Sequence, residues 1–230
     1  MKRLMTMGKC RFCDGIFSKA AMARHLNICA QRQAFAETAP SQKTRLFHIA
    51  VQGRYAPEYW MHLEVVANAK LKTLDSFLRG IWLECCGHLS AFTIEGQRYV
   101  SEMDENPFFD SELEEKGMNS KIGSVLRTGV SFIHEYDFGT TTELALRVVS
   151  EREGEPLNRP IQIMARNEPP QITCSVCGKI ATQVCAQCIY DGKGWLCDKC
   201  ASVHECGEEV LLPVVNSPRV GMCGYTGDGE

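Results

Sequence analysis

No apolar run in the sequence approaches the 18 or more residues that a membrane-spanning helix needs. The opening stretch, MKRLMTMGKCRFC, is basic but lacks an apolar segment of signal-peptide length. These two absences exclude a membrane partner and predict a cytoplasmic chain. There is no Gly-rich phosphate loop and no nucleophile elbow, which excludes the common nucleotide-binding and serine-hydrolase layouts. Long internal repeats and low-complexity tracts are also missing. What the chain has in excess is cysteine, thirteen in 230 residues. In a reducing compartment clustered thiols hold metal more often than they pair as disulfides.

The net charge of −3 conceals an asymmetry. Residues 1–45 carry nine Lys/Arg against two Asp/Glu, whereas residues 46–168 carry twelve against nineteen. A basic head on an acidic body is suited to an anionic partner; it is equally suited to remaining solvated or docking on its own body. Breaker-rich stretches at Thr38–Gln42 and Glu168-Pro169-Pro170 divide the chain into segments 1–40, 45–167 and 170–230. The expected architecture is an α+β central domain flanked by two small zinc-binding modules.

In the middle segment, Arg45–Gln52 and Trp60–Ala67 read as paired strands. Leu74, Phe77, Leu78, Ile81 and Trp82 have helical spacing within Leu71–Glu84, with Thr73 as a candidate N-cap. Leu89–Ile94 and Gln97–Ser101 alternate around Glu95-Gly96 as a hairpin. Glu102–Glu115 reads as a loop with a short helix, and Lys121–Leu126 as another short helix. Val130–Tyr136 and Glu143–Glu151 read as a second antiparallel pair, followed by a short strand at Pro160–Ala165.

Cys10, Cys13, His25 and Cys29 have the spacing C-x2-C-x11-H-x3-C. Zinc takes four thiolate or imidazole ligands in a tetrahedron, and residues four apart on a helix share a face. Phe17 and Met22 lie where a small apolar core would sit. Lys9, Arg11, Lys19 and Arg32 are candidate phosphate contacts, as are Lys2 and Arg3, and Arg24 is the candidate base reader. At the other end, Cys174, Cys177, Cys185, Cys188, Cys197, Cys200, His204 and Cys206 place eight ligands in 33 positions. Alternating knuckles cross-brace, so Cys174, Cys177, Cys197 and Cys200 are assigned to one ion and Cys185, Cys188, His204 and Cys206 to another. Only one residue separates His204 from Cys206, so Cys223 stands as the alternative last ligand. The expected cofactor is zinc, about three ions by the four-ligand rule. Cys85 and Cys86 are assigned to core packing.

The N-terminal cluster resembles the C2H2 finger family in its CCHC form. The C-terminal cluster resembles the cross-braced HIT, MYND and B-box fingers, the HIT type above all, which implies protein binding. Phe132-Ile133-His134-Glu135-Tyr136-Asp137-Phe138-Gly139, the preceding helix and His88-Leu89-Ser90-Ala91-Phe92 resemble the plasmid pRiA4b ORF-3-like family of mobile-element proteins over residues 45–165. That resemblance implies a bacterial or archaeal source and an α+β domain, without a known reaction. After Gly139 the chain continues Thr140-Thr141-Thr142, without the acidic residue, Trp and His of many members.

His134 and Tyr136 face one side of their strand and Glu135 and Asp137 the other, so neighbours in sequence form no acid–base dyad there. Asp137 reads as a turn-capping carboxylate. No catalytic residue is assigned. The first expectation is a non-enzymatic zinc-binding adaptor with a protein partner. A second is nucleic-acid binding through residues 1–45, and a third an enzyme in the central domain.

Overall fold

The computed structural model describes residues 5–37, 43–102, 115–154 and 159–227. The expected linker at Thr38–Gln42 and most of the acidic stretch Glu102–Glu115 lie outside the described residues, as do Lys2 and Arg3.

The chain opens with strands β1 (Met7–Cys10) and β2 (Ile16–Ser18) and helices α1 (Lys19–Ile28) and α2 (Ala30–Glu37). The central part follows: β3 (Thr44–Gly53), β4 (Trp60–Val66), α3 (Leu71–Leu78), a π-helical turn at Arg79–Leu83, β5 (Ser90–Ile94) and β6 (Gln97–Val100). It continues through β7 (Lys116–Gly117), α4 (Ile122–Val125), β8 (Ser131–Tyr136), β9 (Thr142–Gly154) and β10 (Ile161–Asn167). The last part holds β11 (Gln183–Cys185), β12 (Trp195–Leu196), α5 (Asp198–Ala201) and β13 (Leu211–Pro213).

One ten-stranded sheet dominates, in the order β2-β1-β10-β4-β3-β9-β8-β5-β6-β7. Every pairing in it is antiparallel except β6–β7. The three strand pairs read from alternation form as expected: β3 with β4, β5 with β6, and β8 with β9. The expected α+β class gives way to a coarser one, a mixed but strand-rich fold, because the single sheet takes up most of the central segment and its helices are short. The helix of Leu71–Glu84 divides into α3 and the π turn, with Lys70 rather than Thr73 at the N-cap and no side-chain cap.

Alternation along each strand sends two sets of side chains to two faces. Phe47, Ile49, Val51, Met61, Leu63, Val65, Leu144, Leu146 and Val148 pack with Leu71, Leu74, Leu78 and Trp82 in the main core. Val184 and Val220 belong to that same core, so the C-terminal segment is fused to the central domain rather than tethered to it. The opposite face is covered at one end by the N-terminal segment, where Cys10, Met22 and Leu26 pack on Trp60, Met164 and Ala165. Here β1 extends the sheet by pairing with β10. Glycine is required at position 8, because a Cβ there would overlap the Trp60 ring and the Arg166 carbonyl. Across these contacts the three segments read from breakers pack on one another.

A buried pair on the finger-side face carries a pH signature. His48 Nε2 lies 2.8 Å from His62 Nδ1, and both rings are buried. Burial first, then the charges of His62 and Arg32, push His48 down to about 3; burial, opposed by a hydrogen bond with the Lys19 backbone and aided by the Lys19 charge, brings His62 down to about 4. The unfolded chain takes up these protons near pH 6.5 while the folded chain does not. Stability is therefore full above pH 6.5 and is lost as pH falls toward 4, at up to about 1.4 kcal/mol per pH unit per histidine. Urea unfolding at pH 7 and pH 5 should show a steeper loss for the native chain than for H48Q/H62Q. Equal slopes would remove the pair as the cause.

Candidate metal centres

The ligand-bearing residues arrive from local structures that suit zinc. β1 ends at Cys10, a tight turn follows, with Asp14 at φ 59°, and Cys13 lies in it; α1 then carries His25. Phe17 stacks on His25 with ring centroids 4.1 Å apart and fixes the imidazole, whose Nε2 lies 3.2 Å from Cys13 Sγ. Cys29 closes the group from the end of the helix. The ligand atoms of Cys10, Cys13, His25 and Cys29 all lie within 4.8 Å of one another.

The C-terminal segment builds two groups the same way. Cys174, Cys177, Cys197 and Cys200 converge, as do Cys185, Cys188, His204 and Cys206, in the cross-braced arrangement expected. Cys177 and Cys197 sulfurs are 3.6 Å apart; Cys188 is 3.6 Å from both His204 Nε2 and Cys206 Sγ. Zn–S bonds of about 2.3 Å in a tetrahedron give a sulfur–sulfur edge of ~3.8 Å, so these distances fit. At Cys174 and Cys185 backbone amides favour the thiolate. Burial by itself would raise Cys174, but N–H groups of Cys177, Cys197 and Val176 bring it down to about 6. Cys185 is brought to about 7 against its burial by the amides of Cys188 and Gln187 and by His204.

A fourth group was missed by the sequence analysis: Cys85, Cys86, His88 and Cys223. Cys85 is half-buried and packs against the main core as expected, whereas Cys86 is exposed. Cys206, and not Cys223, lies with Cys185, Cys188 and His204 in the second C-terminal group. Cysteine arithmetic held the signal. Of thirteen cysteines, ten fall into the expected sites, and the remaining three include two beside His88. The count of candidate ion sites among the described residues is accordingly four, and their donor sets are consistent with zinc.

The basic head is largely turned onto the protein. Arg32 donates to Glu64 at 3.0 Å and to the Leu26 carbonyl at 2.7 Å, and Arg152 binds the same Glu64 at 2.8 Å. Lys19 bonds Gln52 and the Pro57 carbonyl, and Lys9 pairs with Asp14 at 3.0 Å. Arg11 and Arg24 are exposed. The expected nucleic-acid contacts therefore divide: Arg32 on α2 is bonded to Glu64 and Lys19 to Gln52 and the Pro57 carbonyl, whereas Arg11 and Arg24 face solvent.

The remaining histidine is also structural in its surroundings. His134 Nε2 lies 2.7 Å from Asp75, to which Ser90 donates at 2.6 Å, and all three are buried. Asp137 caps its turn as expected, accepting from the amides of Gly139 and Thr140 at 3.0 and 3.2 Å. Its second oxygen accepts from Arg219 at 2.7 Å, a contact no local reading shows.

Between α1 and the uncovered part of the finger-side sheet face lies a groove of about 810 Å³. Ala20 and Ala23 form one wall, and Ala50, Ile133 and Ala145 the floor. Its charged lining is Lys19, Arg54 and Arg147 against Glu95, and Glu95 is held by Arg127 at 2.7 Å.

These features define a strand-rich mixed α/β protein with four Cys/His clusters of metal-ligand geometry. The chain belongs to the plasmid pRiA4b ORF-3-like protein family, whose profile matches residues 44–181, more than half of its length. No curated protein matches the sequence. Among solved structures it is similar to a protein of unknown function from Methanosarcina mazei Go1, at 12% identity and a TM-score of 0.44, covering 60% of this chain and 77% of that one. No helix among the described residues is long and apolar enough to cross a membrane.

Proposed function

We propose that this protein is a non-enzymatic, zinc-binding adaptor whose groove takes an acidic segment of a partner protein. The observation that carries this is the groove itself, walled by small aliphatic side chains and lined by exposed Arg147 with Lys19, which bonds Gln52, and Arg54, which pairs with Glu143 at 2.7 Å, against Glu95, which Arg127 pairs. Alanines on the wall and the floor leave room for a polypeptide, and the charge balance favours an anionic one. Trp60 and Phe132 border the groove but are buried, so neither offers a ring face for stacking a base. At the end modules each candidate ion has four protein ligands, which leaves no open position for chemistry and gives the metal a structural task.

The test is selection of displayed peptides on the zinc-loaded full chain, followed by fluorescence anisotropy. Selected peptides should be acidic with small apolar residues, and Ala23→Arg, which fills the groove, should weaken them at least tenfold. Arg147→Glu should weaken them too, and added salt should do the same. Peptides indifferent to Ala23→Arg would overturn the groove assignment. Tight, salt-sensitive binding of duplex DNA or single-stranded RNA that disappears with Arg11→Ala/Arg24→Ala would replace it with the nucleic-acid reading.

A further inference from the structure

We propose that Cys85, Cys86, His88 and Cys223 form an exchangeable site for a thiophilic divalent cation, zinc by its donor set, and that the bound ion clasps the C-terminal tail to the central domain. The geometry supports four ligands around one ion. Cys86 Sγ lies 3.6 Å from Cys85 Sγ, 3.0 Å from His88 Nε2 and 3.8 Å from Cys223 Sγ. His88 Nε2 lies 3.3 Å from Cys223 Sγ. Three ligands come from one turn and the fourth from 135 residues further along, so an ion here joins two distant parts of the chain.

The backbone on both sides is shaped to bring these atoms together. The π turn at Arg79–Leu83 ends with the Glu84 amide bonding the Arg79 carbonyl at 2.8 Å, and the chain leaves the helix directly into Cys85. Gly87 takes φ +79°, and its amide donates to Glu84 Oε1 at 2.6 Å, which folds His88 back over Cys86. Cys223 is itself left-handed, at φ 47°. A non-glycine residue held there costs free energy, and a ligand bond is a reason for the chain to hold it.

The charge balance points the same way. Three thiolates around a divalent ion leave an excess of one negative charge. Arg219, fully buried, places its guanidinium 3.4 Å from Cys85 Sγ and 2.7 Å from Asp137 Oδ2. Asp137 Oδ2 in turn lies 3.4 Å from His88 Nε2, so a fixed cation and anion flank the thiolate group. Such surroundings orient ligands and tune a metal.

The site differs from the other three in exposure. Cys86 and Cys223 are exposed, and the sulfur contacts are made by the Arg219 side chain, whereas buried Cys174 and Cys185 are held by knuckle amides. None of its four residues is buried, whereas each of the other groups has at least one buried cysteine, so an ion here is the more reachable by competing ligands.

Native mass spectrometry of the zinc-loaded full chain should find four ions, and Cys223→Ser, an exposed substitution in the tail, should find three. A zinc-binding dye in excess should withdraw one ion at least tenfold faster than the rest. Hydrogen exchange over 219–225 should rise in step with that withdrawal and should already be raised in Cys223→Ser. Three ions in the native chain, or equal counts in both chains, would overturn the site. A mass about 2 Da low with no fourth ion would replace it by a Cys86–Cys223 disulfide. Uniform release, or unchanged exchange over the tail, would overturn the exchangeable clasp.

Discussion

Cys185→Ser is expected to bind one ion fewer than the native chain and to unfold much of the C-terminal module while the central sheet persists. Cys185 is fully buried on β11 and belongs to the second C-terminal ligand group. Away from the module's contacts with the main core, little else holds the residues around the two ligand groups. Its own buried cluster is Cys174, Cys185, Leu196, Cys197 and Ala201, in which three of the five members are candidate ligands. Burial of Leu196 and Ala201 contributes a few kcal/mol at about 25 cal/mol per Å² of apolar surface. A structural zinc ion contributes ~10–16 kcal/mol of apparent binding free energy at neutral pH, all of it folding free energy where no site exists in the unfolded chain. The metal term is the larger, so its loss cannot be made up by packing. Limited proteolysis with native mass spectrometry checks this. A variant with the full ion count and native protection would show that Cys185 is not a ligand. Because Val184, the residue before it, lies in the main core, a smaller loss of stability should also appear in the central domain.

Arg219→Leu is expected to cost about 3–5 kcal/mol, the usual effect of removing one partner of a buried ion pair. The guanidinium bonds Asp137 Oδ2 at 2.7 Å, the Thr140 carbonyl at 3.1 Å and Thr142 Oγ1 at 3.0 Å, and lies 4.8 Å over the Tyr136 ring. Leucine would regain part of the apolar contact and none of the polar ones, leaving the Asp137 carboxylate buried with only two amide donors. Adding Asp137→Asn should recover a part of the loss, since it removes the uncompensated charge. Urea unfolding of the single and double variants measures this. A loss below about 1 kcal/mol for Arg219→Leu would mean that the tail is not seated in the central domain, because exposed pairs contribute no more than that.

Those two expectations rest on different kinds of information. The C-terminal ligand groups were legible in the sequence because a knuckle is local: two cysteines separated by two residues already sit on one turn, and alternating knuckles leave few ways to share ions. The strand pairs β3–β4, β5–β6 and β8–β9 were legible for a related reason, since alternation of apolar residues and short connections define neighbours along the chain. Asp137 as a turn cap was legible from its place before Gly139.

Other features were settled by contacts between residues far apart. The sequence by itself determined which residues would gather as candidate metal ligands at each end, the knuckle turns that present them, and the family to which the middle of the chain is similar. Only the tertiary structure decided that β1 of the N-terminal segment would become a strand of the central sheet, that Arg32 would bond Glu64, and that Cys206 and not Cys223 would lie with Cys185, Cys188 and His204. It also gathered Cys85, Cys86 and His88 with a cysteine 135 residues away. The physical reason is that ligand spacing and side-chain alternation are properties of one or two turns of backbone. Sheet order, the pairing of a buried charge and the meeting of distant thiols depend instead on how the whole chain covers its apolar faces.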